Sequence, residues 1–139
     1  MSEQANVQVV QEIYQAFGRG DVAGVLSRLS PNATLEFEAP AGIPWAGTHS
    51  GREGWGRFFQ ILAENAEQIT LSMQPFAAQG HNVVMLGRYQ GVVKRTGKRI
   101  DSPLVQLWTI RNGLAERCVE ATNTAAELAA CTGSAAAAG

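Results

Sequence analysis

The 139-residue chain predicts an α+β fold: a cone-shaped barrel in which a curved antiparallel sheet wraps around helices. Three observations carry that expectation. Apolar residues in the first half recur at helical spacing, with one alternating strand among them. From roughly residue 69 onward only strand signals follow, separated by short polar turns. Helices early and strands late segregate the two element types, which is the mark of α+β rather than of alternating α/β. The expected order is ααβαββββ, plus a short C-terminal helix.

Val7, Val10, Tyr14 and Phe17 share one helical face, and Gly18 and Gly20 stop that helix. Asp21 caps a second helix that turns Val22, Val25, Leu26 and Leu29 inward and ends at Pro31-Asn32. In ATLEFEA, Leu35, Phe37 and Ala39 share one strand face while Glu36 and Glu38 share the other. A Pro/Gly-rich loop, PAGIPWAGTHSG, follows. Ser50-Gly-Arg-Glu53 has capping-box spacing and opens a third helix, with Trp55, Phe58, Phe59, Leu62 and Ala66 on its apolar side. Strands follow at about 69–77, 83–93, 99–110 and 114–122. Thr124-Ala-Ala-Glu127 repeats the capping-box spacing and starts the terminal helix.

Residues 1–131 make one domain, and the low-complexity tail 132–139 is expected to be disordered. A formal net charge of −1 gives no electrostatic footprint for nucleic acid. The basic cluster at Lys94-Arg95 and Lys98-Arg99 reads as a solvated hairpin tip. The N-terminus has no signal-peptide pattern, and no apolar run reaches the roughly 18 residues a membrane span needs. A cytoplasmic protein is expected, with neither membrane nor nucleic-acid partner. Cys118 and Cys131 form no C-x-x-C pattern, and His49 and His81 have no ligand-spaced neighbours, so no metal is expected. No phosphate-cradling or nucleophile-elbow motif is present.

The string VVQEIYQAFGRGDVAGVLSRLSPNATLEFEAP, with GREGWGRFF and the late TIRNGLAERCVEATNT, resembles the SnoaL-like and ketosteroid-isomerase-like branch of the nuclear transport factor 2-like superfamily. The resemblance spans about residues 6–130. It implies a cone-shaped α+β barrel, usually a homodimer, with an apolar pocket at the wide end, in a superfamily that hosts isomerases, polyketide-cyclase-like enzymes, epoxide hydrolases, dehydratases and noncatalytic binding modules; no cofactor is expected. Ketosteroid isomerases carry a helix tyrosine, a strand aspartate as base and a protonated aspartic acid. Those positions fall here on Ile13, Phe37 and Gln106, so steroid isomerisation by that constellation is not expected.

Glu120 is the principal candidate. Which residues face it depends on the Asn112-Gly113 turn: a two-residue turn pairs it with Val105, and a three-residue turn with a bulge pairs it with Leu104 and Gln106 with Cys118. The second register is preferred, because the resemblance places Gln106 and Cys118 together on the pocket wall. It puts Gln106, Trp108, Cys118, Glu120 and Thr122 on one concave surface. Burial among Phe37, Phe59 and Trp108 would raise the carboxyl's pKa and suit it to general acid or base work. Gln106 would orient substrate or stabilise an oxyanion, and Tyr14 or Tyr89 would add a hydroxyl. Phe37, Trp45, Trp55, Phe58, Phe59, Tyr89, Trp108, Cys118 and Thr122 are the candidate ligand contacts. The resemblance implies bulky aromatics and an aspartate at the end of the last strand; Ala121-Thr122-Asn123 stands there instead, which predicts a roomier or more open cavity for a hydrophobic small molecule. Glu36, Glu38 and Asp101 are expected to face outward, Asp101 beside Arg88. Two functions compete. One is an isomerase, cyclase or lyase working by acid–base chemistry. The other is a noncatalytic module that binds a ligand or dimerises.

Overall fold

The computed structural model describes residues 2–133. Within them the chain runs through α1 (Glu3–Gly18), α2 (Val22–Ser27), β1 (Leu29–Phe37), β2 (Gly47–Ser50), α3 (Gly51–Asn65), β3 (Ala66–Gln79), β4 (Asn82–Val93), β5 (Arg99–Arg111), β6 (Leu114–Thr122) and α4 (Thr124–Cys131). The α+β architecture is the predicted one. Of the tail, Thr132 and Gly133 are described, and residues 134–139 lie outside the described range.

The sheet is six-stranded and mixed, in the order β2-β1-β6-β5-β4-β3. Three features differ from the expectation. An edge strand, β2, lies in the segment read as loop and pairs antiparallel with β1; four residues among Pro and Gly are too few to show alternation. β1 and β6 pair in parallel, so the sheet is not wholly antiparallel. With β2 and β3 at opposite edges it also does not close on itself.

Local chemistry explains most boundaries. Ser2 accepts from Ala5 N at 3.0 Å and caps α1. Asp21 accepts from Gly24 N at 2.9 Å and caps α2 as predicted. Pro31, expected to end α2, instead sits inside β1. There the β1–β6 register breaks between Leu29 and Thr34, so the missing proline N–H costs no ladder bond. At Gly87 an added Cβ would lie 1.9 Å from Ser72 O, so only glycine lets β3 and β4 approach here.

Neither predicted capping box forms. Ser50 precedes α3 but makes no side-chain cap bond. At α4 the cap is Asn123, which accepts from Ala126 N at 3.1 Å. The basic hairpin tip is no free solvated turn either. Arg95 reaches the carbonyls of Cys131 and Gly133, Lys98 that of Thr132, and Thr96 that of Ala130, so the tip satisfies the open C-terminal end of α4.

The core lies between the helices and one sheet face, with Val10, Val25, Leu29 and Ile110 fully buried. Trp55 Nε1 donates to Ala33 O at 3.2 Å, and the Arg52 guanidinium to Leu29 O at 2.7 Å, fastening α3 to β1. Val22, expected inward, is exposed.

Candidate functional site

The β5–β6 hairpin sets the site. Asn112 and Gly113 both take positive φ, 53° and 79°, which makes a two-residue turn pairing Arg111 with Leu114. Between Thr109 and Ile110 the register then shifts, so Thr109 faces Arg117 and Glu116 is the extra residue of a bulge. Beyond it Gln106 pairs with Glu120, Trp108 with Cys118 and Leu104 with Thr122. Neither expected register holds. The turn is the two-residue one, and the bulge lies two residues past it. A shift of two relative to the preferred register preserves parity, so the five expected residues still share a face.

On that face is a cavity of about 80 Å³, whose walls come from α1, α2, α3 and all strands but β2, with Trp45 from the loop before β2. Of the predicted residues it brings together Glu120, Gln106, Tyr14, Trp45, Trp55, Phe58, Phe59, Tyr89 and Trp108. Its volume is narrower than the roomy interior expected from the small residues at 121–123. A second hollow shares Tyr14, Phe17, Ile69 and Leu71 with it and adds Gly18, Thr70 and Met73.

Three predicted contacts do not line the cavity. Phe37 is 1% exposed and spent on the core. Cys118 is fully buried and burial pushes its thiol up, so it is packing rather than nucleophile. Thr122 turns away and donates to Glu127.

The polar groups form two sets. In the first, Tyr14 Oη donates to Gln106 Oε1 at 2.5 Å, and Trp108 Nε1 donates to the same oxygen at 3.1 Å. Tyr14 is therefore committed to Gln106, and burial raises its pKa further. With its oxygen occupied, Gln106 has its amide nitrogen left for Glu120 across the strand pair. The second set centres on Glu120. Burial pushes its carboxyl up to about 7, the nearby Glu127 adds to the rise, and the Gln106 amide opposes it. None of the ion pairs among the described residues includes Glu120. The outward acids do pair: Glu36 with Arg117, and Asp101 with Arg88 at 3.0 Å.

Glu127 was hidden by the capping-box reading. It is fully buried on α4 and accepts from Trp45 Nε1 at 3.2 Å and from Thr122 Oγ1. The sequence signal was Asn123, as good a cap as Thr124; starting the helix from it frees Glu127 from capping duty. The hydroxyl of Tyr89, a residue only 9% exposed, is buried beside Glu127 and Glu120; it meets no group in full hydrogen-bond geometry, although the Glu127 carboxyl lies close enough to act on it. Burial and then those two carboxylates raise its pKa, so it stays protonated. Ile13, Leu35, Ile69, Leu71 and Leu104 complete the apolar lining; Ile69 and Leu71 come from β3, where Ile-Thr-Leu-Ser-Met alternates with period two and so carried the signal that would have found them.

Among the described residues no three His, Cys, Asp or Glu side chains gather as a metal site. His49 contacts Trp45 O at 3.0 Å, and His81 contacts Ile110 O at 3.0 Å. Among the described residues no helix is long and apolar enough to cross a membrane.

Residues 10–118 match the SnoaL-like domain. An NTF2-like protein from Burkholderia xenovorans LB400 is 32% identical, with 95% of this chain and 99% of that one covered and a TM-score of 0.85. TerC, crystallised with polyporic acid, is 25% identical over 91% of this chain and 97% of its own, at a TM-score of 0.82. A candidate polyketide cyclase from Xanthomonas campestris shares the fold at 21% identity, with 94% and 100% of the two chains covered and a TM-score of 0.80. No curated protein matches the chain.

Proposed function

Because the chain belongs to the SnoaL-like domain family, we propose that it catalyses cofactor-independent acid–base chemistry on a hydrophobic small molecule, as an isomerase, cyclase or lyase. One observation carries this reading: Glu120 is a desolvated carboxyl on the wall of an apolar cavity, with no cation to hold it ionised. A base poised near neutral pH can both take and return a proton. Glu120 withdraws a proton from carbon next to a carbonyl and returns it elsewhere on the same molecule. Gln106 positions Glu120, and Tyr14 with Trp108 position Gln106. Tyr89, whose hydroxyl is uncommitted, bonds a ligand heteroatom. The aromatic walls supply the apolar contact. The crystallisation of TerC with polyporic acid supports an organic small molecule as the ligand class.

A noncatalytic binding module is the second reading, favoured by the closure of the Tyr14–Gln106–Trp108 network, which leaves few donors for a developing oxyanion. The chain acts as a homodimer in the cytoplasm, without nucleic-acid or membrane partners. The outer sheet face supports the dimer, since Val105 there is 40% exposed and stands across from Leu86 and Ala121.

The test is deuterium exchange into a panel of aryl and cyclic ketones, followed by NMR. Wild type is expected to exchange protons beside the carbonyl of at least one compound, with a rate that climbs as pH rises through about 7. Glu120→Gln is expected to lose at least about a hundredfold, the usual worth of a positioned base. Exchange undiminished in that variant would exclude Glu120 as the base, and absence of exchange across the panel would favour the binding module.

A further inference from the structure

The cavity combines aliphatic walls with aromatic faces and a single acid. Its only charged lining residue is Glu120, and no Lys, Arg or His lines it among the described residues. Glu120 is half-buried, and behind it stands a fully buried acid, Glu127, held by Trp45 and Thr122. No ion pair among the described residues reaches either acid. Aromatic side chains make up about half of the lining: Trp55 and Trp108 lie 5.9 Å apart between ring centroids, and Tyr14 stands edge-on to Trp108 at 6.2 Å. An independent observation points to an occupant. Tyr89 Oη is buried on the same wall without a partner in full hydrogen-bond geometry, with the Glu127 carboxyl close by, and a ligand there completes it.

Acids without a counter-ion, one half-buried at the wall and one fully buried behind it, next to aromatic faces, are an arrangement that recognises organic cations. We propose that the cavity takes a ligand bearing a positively charged nitrogen, a small aryl-alkyl ammonium, seated against Glu120 and the indoles of Trp55 and Trp108. The ammonium N–H groups give Tyr89 Oη its missing partner. This rests on the reading of the cavity as the ligand site and deepens it. A forming enolate meets no positive side chain here, and a ligand carrying its own cation supplies one. The same electrostatics reject carboxylate and phosphate ligands.

The groups facing Glu120 are Glu127 from α4, Tyr14 from α1, Tyr89 from β4 and Cys118 from its own strand; α3 presents only apolar and aromatic side chains to the cavity. The carboxyl of Glu120 itself changes charge near neutrality, so cation binding weakens as pH falls from 8 to 6.

Three one-ring probes of different charge decide the matter: benzylamine, benzyl alcohol and benzoate, titrated into the full chain at pH 8 by calorimetry and by the indole NMR signals. Benzylamine is expected to bind at least about tenfold tighter than benzyl alcohol, in the range of a desolvated cation–π and ion-pair contact, and benzoate not at all. In wild type that preference shrinks at pH 6. In Glu120→Gln, checked for its fold by circular dichroism, it vanishes while benzyl alcohol binding persists. Equal binding of alcohol and amine, preference for benzoate, binding of none of the three, or a preference that survives both low pH and Glu120→Gln would overturn the inference. Glu120-dependent deuterium exchange without amine preference would leave the acid–base function standing and remove this inference alone. Amine preference without exchange on any ketone would do the reverse.

Discussion

Glu120 costs the folded protein stability at neutral pH, and the sign can be worked out. Its folded pKa is about 7 against an ordinary 4.5. Between those values the native state holds a proton that the unfolded chain has released, so stability falls as pH rises through that window and the loss is complete above it. At 1.36 kcal/mol per pKa unit the upper limit is about 3 kcal/mol. Glu120→Gln is therefore expected to melt at a higher temperature than wild type at pH 8 and at nearly the same temperature at pH 4. A variant less stable than wild type at pH 8 would mean that the carboxylate is satisfied as an anion. The place of Glu120 on the inner face was legible only with the family resemblance, which put Gln106 and Cys118 on the pocket wall and so chose the parity that a two-residue turn alone would have reversed. Glu127 was not, because a helix-start pattern offered a ready local explanation for it. The commitment of Tyr14 to Gln106 was equally hidden, since a contact across 92 positions leaves no local trace.

Among the elements, the helix starts separate pattern from chemistry. Ser50 stands in a capping box by spacing, yet its hydroxyl caps nothing, whereas Asn123 caps α4. Asn123→Ala is expected to lower stability by about 1 kcal/mol and Ser50→Ala by no more than a few tenths, as read by urea denaturation. The reverse order would show that the caps are assigned to the wrong side chains. The strands of the hairpin were legible, but their register was not. Turn length and bulge position both shift pairing, and the sequence fixes neither where Asn-Gly and a nearby bulge combine. Short β2 was lost for want of length, and the role of Arg95 and Lys98 at the end of α4 for want of any local link between segments more than 30 residues apart.

At the scale of the whole molecule, the fold class came through from segregation of helices and strands, while the parallel β1–β6 contact did not, because parallel partners are never adjacent in sequence. The unclosed sheet leaves an apolar strip on its outer face around Val105. Val105→Arg is expected to convert a dimer into a monomer at micromolar concentration, measured by light scattering, with the inward-facing cavity untouched. A monomeric wild type would dismiss the dimer. The strand order has one more consequence. The β2–β1 pair and the β5–β4–β3 meander share backbone hydrogen bonds only through β6, the last strand to leave a ribosome. Until it emerges, β1 and β5 each wait with a raw edge exposed, so a nascent chain halted before residue 114 would carry two unzipped half-sheets and invite chaperone capture.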